Sequence, residues 1–325
     1  MMGRSRFWYT SIAAAAVAAM ALTSCSSGGG GEDKENTTVR ISGTKGYVPT
    51  LSAFYGDEAG IFEKHGVDAE VLDIEGGGAS MEALAAGEVD LINYFPGGLA
   101  QAAASGVEAY IVAAGSLVPN GWWLTSLADS GFETPEDLDG KDVGISSAGA
   151  TTDLYAQFVA REAGVNFNLV PVGGSGMIPA LIAGNVDAIL AFPPQGYQLE
   201  ADEGINLIAD LAEENILYPD VWIASPELVE ERPEVLQNTL DAIFETVGIL
   251  QDEKDIAVQA IQDVAGYSPE IAERTYEDTI MGLSPDGKFT LDEIEEAMKL
   301  APIDEDAMPS VDSIATTKFI GKRKE

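Results

Sequence analysis

Two stretches of the chain change hydrophobic period in the same order. The β-branched runs VDAEVLDI (67–74) and FNLVPV (167–172) read as strands. Glycines follow each run, then an Ala/Leu-rich stretch of helical period that stops at Gly87 or Gly184, the place of a C′ glycine. Next, VDLINYF and VDAILAF are mostly apolar, as buried parallel strands are, and Pro96 or Pro193 ends them. Each stretch is a β-α-β unit.

The two units are copies. Residues 76–96, GGGASMEALAAGEVDLINYFP, and 173–193, GGSGMIPALIAGNVDAILAFP, are identical at 11 of 21 positions with an offset of 97. Further upstream VRISG (39–43) matches VGISS (143–147), and EAGI (58–61) matches EAGV (162–165), both at an offset of 104. Each half therefore reads β-α-β-α-β, half of a doubly wound α/β sheet. In both copies a glycine turn precedes a helix N-terminus, where free N–H groups and the helix dipole favour an anion or polar ligand. Duplicated lobes would bring both turns to one cleft.

Trp122–Thr125 reads as an extended crossover between the halves, and Trp222–Ser225 as the return. The remainder, PELVEERPEVLQNTLDAIFETVGIL, DIAVQAIQDVAGY, SPEIAERTYEDTIMG and LDEIEEAMKLA, repeats its apolar positions at three and four, as amphipathic helices do. Pro226 and Pro269 sit at helix starts.

Composition narrows the function classes. A chain of 325 residues with 46% hydrophobic and 22% charged residues suits a globular protein of two lobes. Lys+Arg 17 against Asp+Glu 54 leaves −37, which excludes nucleic acid as a partner, since phosphate binding needs clustered cations. Arg4 and Arg6 precede the short apolar run FWYTSIAAAAVAAMAL, an export signal rather than an anchor helix. It ends in Leu22-Thr23-Ser24-Cys25, which resembles a bacterial lipoprotein box; an ordinary signal with a chance cysteine is the alternative. Cys25 is the one cysteine, so it has no disulfide partner. Residues 1–24 are expected to be signal peptide, with lipidation at Cys25 and a flexible tether over 25–36. One acyl chain anchors only marginally, so stable attachment needs a second, such as a palmitate.

Taken together, FEKHGVDAEVLDIEGGGASMEALAAGEVDLINYFP and LDGKDVGISSAGATTDLYAQFVAREAGV…LVPVGGSGMIPALIAGNVDAILAFPP resemble the nitrate/sulfonate/taurine and thiamine-precursor substrate-binding proteins of ABC importers. The match covers about residues 39–260. The resemblance implies a type II periplasmic-binding-protein fold, α/β, with two doubly wound lobes, a two-strand hinge and a helical C-terminal part. Lobe 1 would be 37–121 plus 223–325, and lobe 2 would be 122–222. It also implies an exported monomer, lipid-anchored outside the cell membrane or in the periplasm, that hands a small molecule to a permease and ATPase. No cofactor is expected.

Candidate ligand contacts follow from the turns and the aromatics. Gly77, Gly78, Gly174 and Ser175 would present N–H groups, or merely permit tight turns. Ser147, Thr151 and Thr152 would donate hydroxyls, or cap a helix. Lys45 and Tyr47 occupy the equivalent turn of the first half, and Lys45 is the only cation in these loops. Tyr94, Phe95, Trp122, Phe192 and Trp222 are aromatic candidates with Gln195 beside them; core packing is the alternative for each. Trp122 and Trp123, adjacent in an extended segment, point to opposite faces. Donor-rich loops lean toward a small organic anion of the sulfonate, taurine or nitrate type. The runner-up is a thiamine-precursor pyrimidine, stacked on aromatics and paired by acidic groups. Catalysis finds little support: His65 is the only histidine, at a helix end, and no nucleophile elbow is present. A pyrimidine-forming enzyme of the same fold is the rival from another class.

Overall fold

The computed structural model describes residues 37–320 apart from Asn215 and Glu305. The signal, the tether and Cys25 lie outside the described residues. Five strands, β1 (Thr38–Gly43), β2 (Asp68–Asp73), β3 (Leu91–Tyr94), β4 (Tyr110–Ser116) and β10 (Asp220–Ala224), form one sheet in the order β2-β1-β3-β10-β4. Five more, β5 (Trp123–Leu127), β6 (Asp142–Ile145), β7 (Asn168–Pro171), β8 (Ala188–Ala191) and β9 (Ile205–Asp210), form a second in the order β7-β6-β8-β5-β9. Each sheet is parallel on one side and carries a single antiparallel strand in its fourth place, β10 in the first and β5 in the second.

The burial of the strands follows their place. Central β3 (LINY), β8 (AILA) and β10 (DVWIA) are buried at every residue, while edge strand β2 is largely exposed. The chain crosses from the first sheet to the second between β4 and β5, and returns between β9 and β10. The Leu211 N–H donates to the Trp122 carbonyl (2.9 Å), tying the two crossings together. Since β10 begins at Asp220, the expected boundary between residues 222 and 223 falls inside that strand.

Helices cover both sheets: α1 (Leu51–Glu58), α2 (Ile61–Lys64), α3 (Gly77–Ala85), α4 (Pro96–Ala104), α5 (Thr151–Ala163), α6 (Met177–Ile182) and α7 (Gln195–Glu203). Gly87 and Gly184 have φ of 72° and 68° just beyond α3 and α6, the left-handed termination that their place in the repeat predicts. The C-terminal part supplies α8 (Pro226–Glu230), α9 (Pro233–Asp252), α10 (Lys254–Ala265), α11 (Pro269–Asp278), α12 (Leu291–Met298) and α13 (Val311–Ile314). The stretch from Pro226 to Leu250 is two helices, because Pro233 removes a backbone donor and restarts the helix.

The copies match at a different upstream offset from the one the sequence suggests. Ser42 sits beside Ile92 in the first sheet, and Gly144 sits beside Ile189 in the second. Ile92 and Ile189 are equivalent, so the true offset of the first strands is 144 − 42 = 102, not 104. A slip of two keeps every side chain on its own face, so the hydrophobic pattern could not expose it. The repeated Asp is explained here too. Asp90 accepts from the Arg40 N–H (2.8 Å) and Asp187 from the Asp142 N–H (3.0 Å), so each carboxylate ties its loop to the neighbouring strand.

Candidate functional site

A cavity of about 360 Å³ opens where the loops after β1, β2 and β3 face those after β6, β7 and β8. This is the carboxyl edge of both parallel sets, where open α/β sheets bind ligands. The loop after each first strand is stitched the same way. Thr50 Oγ1 accepts the Thr44 N–H (3.1 Å) and donates to the Tyr47 carbonyl (2.9 Å). Thr152 Oγ1 accepts the Ser146 N–H (2.9 Å) and bonds the Ser146 hydroxyl (2.8 Å). Thr152 therefore both lines the cavity and holds its own loop.

Aromatic rings form the walls. Tyr47 stands edge-on to Trp122 (5.9 Å) and to Phe192 (5.7 Å), and Trp122 lies 6.0 Å from Phe192. Trp122 also rests against buried Tyr155 at 5.1 Å. Trp123 turns away and packs on Tyr197, as the alternation of an extended segment requires. Tyr94 lines the cavity and donates its hydroxyl to the Gly149 carbonyl on the opposite side. It fits because Gly77 has no side chain: a Cβ there would lie 2.1 Å from the Tyr94 ring.

The floor is rich in acceptors. Asp220 is 2% exposed; it accepts from Asn93 Nδ2 (2.7 Å) and the Tyr47 hydroxyl (3.3 Å). Burial pushes its carboxyl above the ordinary range, against hydrogen bonds from Ser116, Asn93 and Tyr47 that pull it down. Burial, then the Asp220 charge, pushes the Tyr47 hydroxyl well up. Because Asn93 Nδ2 is committed to Asp220, Asn93 Oδ1 is left buried with no partner. Gln195 Nε2 donates to the Gly174 carbonyl (2.7 Å), which leaves Gln195 Oε1 buried and unpaired in the same way. Asp73 and Glu75 add carboxylates to the lining, and Lys45 is the one cation among the described lining residues.

Of the expected contacts, Lys45, Tyr47, Gly77, Tyr94, Trp122, Thr151, Thr152, Gly174, Ser175, Phe192 and Gln195 line the cavity. Four do not. Phe95 is fully buried against Tyr155 (5.4 Å). Trp222 is buried in a separate apolar cluster with Val39, Phe62 and Phe244. Trp222 pairs with Asn93 of β3 in unbroken register, two residues further along β10 than Asp220, and packs among those apolar side chains rather than at the cavity. Gly78 and Ser147 meet each other across the two lips: a Cβ on Gly78 would sit 3.6 Å from Ser147 Oγ and 3.4 Å from the Ala148 carbonyl oxygen. His65 pairs with Glu245 (2.8 Å) away from the cavity.

Asp220, Asn93, Asp73, Glu75 and Tyr267 line the cavity without having been singled out by the sequence. One signal for Asn93 was present. It is polar in an otherwise apolar strand, and its counterpart in the second copy is Leu190 (93 + 97). The copies diverge at this cavity-lining position.

Comparison with known proteins agrees with this architecture. The alkanesulfonate-binding protein SsuA from Xanthomonas axonopodis pv. citri, solved bound to MOPS, superposes with a TM-score of 0.75 at 18% identity over 86% of this chain and 99% of that one. The Candida albicans CA3427 gene product, described as having the generic periplasmic binding protein fold, superposes with a TM-score of 0.74 at 15% identity, over 89% and 99%. The desulfurization enzyme DSZB gives a TM-score of 0.63 at 16% identity, over 87% and 97%. At these identities the likeness is one of fold. A Brucella abortus protein provisionally named a binding protein is 29% identical over 220 residues, 65% of this chain and 66% of its own length, just under two thirds of it. The family model described as NMT1/THI5 like matches residues 50–255, well over half of the chain, and the protein belongs to that family.

Proposed function

We propose that the protein is an exported solute-binding component of an ABC importer that captures a flat, donor-rich nitrogen heterocycle of the aminopyrimidine class. The observation that carries the ligand class is the floor of the cavity. A buried carboxylate (Asp220) and two side chains with an unpaired buried acceptor (Asn93 Oδ1, Gln195 Oε1) line the same cavity as Tyr47, Trp122 and Phe192. Unpaired buried acceptors cost free energy until a donor meets them, and ring amino groups or a ring N–H are such donors. A sulfonate offers only acceptors to such a floor. The expected preference for an organic anion therefore gives way to its alternative.

One observation still favours the anion as a second reading. The N-termini of α3 at Gly77 and of α5 at Thr151 reach the cavity, and Lys45 stands beside them. In either case the two halves, 37–121 with the C-terminal part and the segment between the crossings, close over the ligand and present it to a permease and its ATPase. Cys25 carries the lipid that holds the monomer at the outer face of the membrane. Capture rather than chemistry fits the lining, since His65 is not among its residues.

The test is calorimetric titration with 4-amino-2-methylpyrimidine, propanesulfonate and nitrate. Binding of the pyrimidine alone supports the first reading. Binding of the sulfonate alone transfers the proposal to the anion. Silence with all three overturns both.

A further inference from the structure

We propose that Arg274 is a positioning residue of the cleft, clamping three cavity-lining segments from a helix that does not itself line the cavity. Arg274 lies on α11 of the C-terminal part. Its guanidinium sits over the Tyr197 ring at 4.2 Å and the Trp123 ring at 5.2 Å. These two rings stack edge-to-face on each other at 5.1 Å, with Ile271 of the same helix buried against them. The guanidinium also pairs with Glu200 of α7 and, at 3.5 Å, with Asp278 of its own helix.

The two rings adjoin the cavity. Trp123 follows Trp122, Tyr197 stands two residues after Gln195, and α11 itself begins just after Tyr267. Space around the rings is tight. A Cβ on Gly196 would meet Trp123 at 2.7 Å, and one on Gly121 would meet the Tyr197 hydroxyl at 2.4 Å. Helix α11 is otherwise tied to the first sheet's side: it packs on α10, which packs on α9 and α1. Glu200, Tyr197 and Trp123 belong to the second sheet's side. Movement of one side against the other must therefore strain or slide this clamp. A cation between two aromatic faces, partly shielded from water, is a strong enough contact to set the angle.

The proposal rests on the capture reading only in taking the cavity as the ligand site, and its test needs no ligand. Ala85→Cys and Ile182→Cys place spin labels on exposed ends of α3 and α6, in the full chain with Cys25→Ser. Electron–electron distance measurement then reports how far apart the two sides stand. We expect Arg274→Ala to shift the distribution to longer distances, lowering the closed-to-open ratio about tenfold, the scale of a shielded cation–π contact. Arg274→Lys, which keeps the charge but not the planar stacking, is expected to shift it less. Lys254→Ala is the control: Lys254 pairs with Glu277 (3.1 Å) and lies over Tyr276 (5.6 Å), but bridges to nothing on α7. It should leave the distances unchanged. Unchanged distances in Arg274→Ala, or equal shifts in Arg274→Ala and Lys254→Ala, overturn the proposal. If Arg274→Ala does not fold, unchanged distances in Arg274→Lys do the same.

Discussion

Asp220→Asn separates what the floor does for the ligand from what it costs the fold. In the folded protein this carboxyl is 2% exposed and its proton affinity is raised by burial. A carboxyl whose folded pKa lies above its unfolded one contributes stability that is complete below the ordinary carboxylate range and is lost as pH rises through the raised value. At neutral pH the titrating carboxyl therefore opposes folding relative to acid, and the asparagine, which does not titrate, removes that cost. The unliganded variant should melt higher than the wild type at pH 7.5, with the difference shrinking towards pH 4. Ligand binding should move the other way. Leaving a buried ligand donor without its acceptor costs about 1–3 kcal/mol, so 4-amino-2-methylpyrimidine should bind roughly 5–150-fold more weakly, at about 1.4 kcal/mol per decade. An anionic ligand reverses the sign, because the variant removes a repulsion. Scanning calorimetry at both pH values and isothermal titration at pH 7.5 read the two effects. A variant that melts lower at pH 7.5 and keeps the pyrimidine affinity within about twofold would refute the reasoning.

Other outcomes follow from the packing. Gly77→Ala drives a methyl into Tyr94 at 2.1 Å, and chemical denaturation should show a loss of about 1–3 kcal/mol, as overpacked sites do. At Asp90, burial raises the carboxyl but hydrogen bonds and charge from Arg40 (2.7 and 3.0 Å), with Arg232 at 3.3 Å, bring it below the ordinary range. Stability from this group is present above the unfolded pKa and lost as pH falls through the folded one. Arg40→Met should therefore destabilise the protein at neutral pH and flatten the acid side of a melting-temperature profile; an unaltered acid limb would count against it. Cys25→Ser in the native host should move the protein from the membrane pellet to the soluble fraction on centrifugation, and retention in the pellet would dismiss the lipid anchor.

Much of the architecture was legible because its two halves repeat. Eleven identities at one offset fixed the β-α-β units, and the glycine positions fixed where α3 and α6 end. Contacts that depend on how elements meet were less visible. Phe95 and Trp222 looked like ligand aromatics because strand ends carry such residues, yet both face the interior; Trp222 sits two residues further along β10 than Asp220, deep enough in the sheet to be covered. Ser147 and Gly78 belong to the right segments, but Gly78 lies in the first turn of α3 and the two meet each other beside the cavity rather than line it. Asp220 was hidden for the opposite reason. It opens a strand whose other residues are apolar, and only the fold turns it inward to accept from Tyr47.

The order of the first sheet also governs when the protein can be finished. Strands β3 and β4 never pair with each other; β10 lies between them, contributed by residues 220–224. The second sheet, by contrast, is drawn wholly from one continuous stretch, Trp123 to Asp210. A chain emerging N-terminus first thus completes its later sheet before its earlier one. Until β10 arrives, the first four strands hold an unfilled gap at their centre, and native closure there waits on a contact more than a hundred residues away in sequence. Under the export proposed above, that delay would keep the leading half threadable while the rest of the chain is still being made.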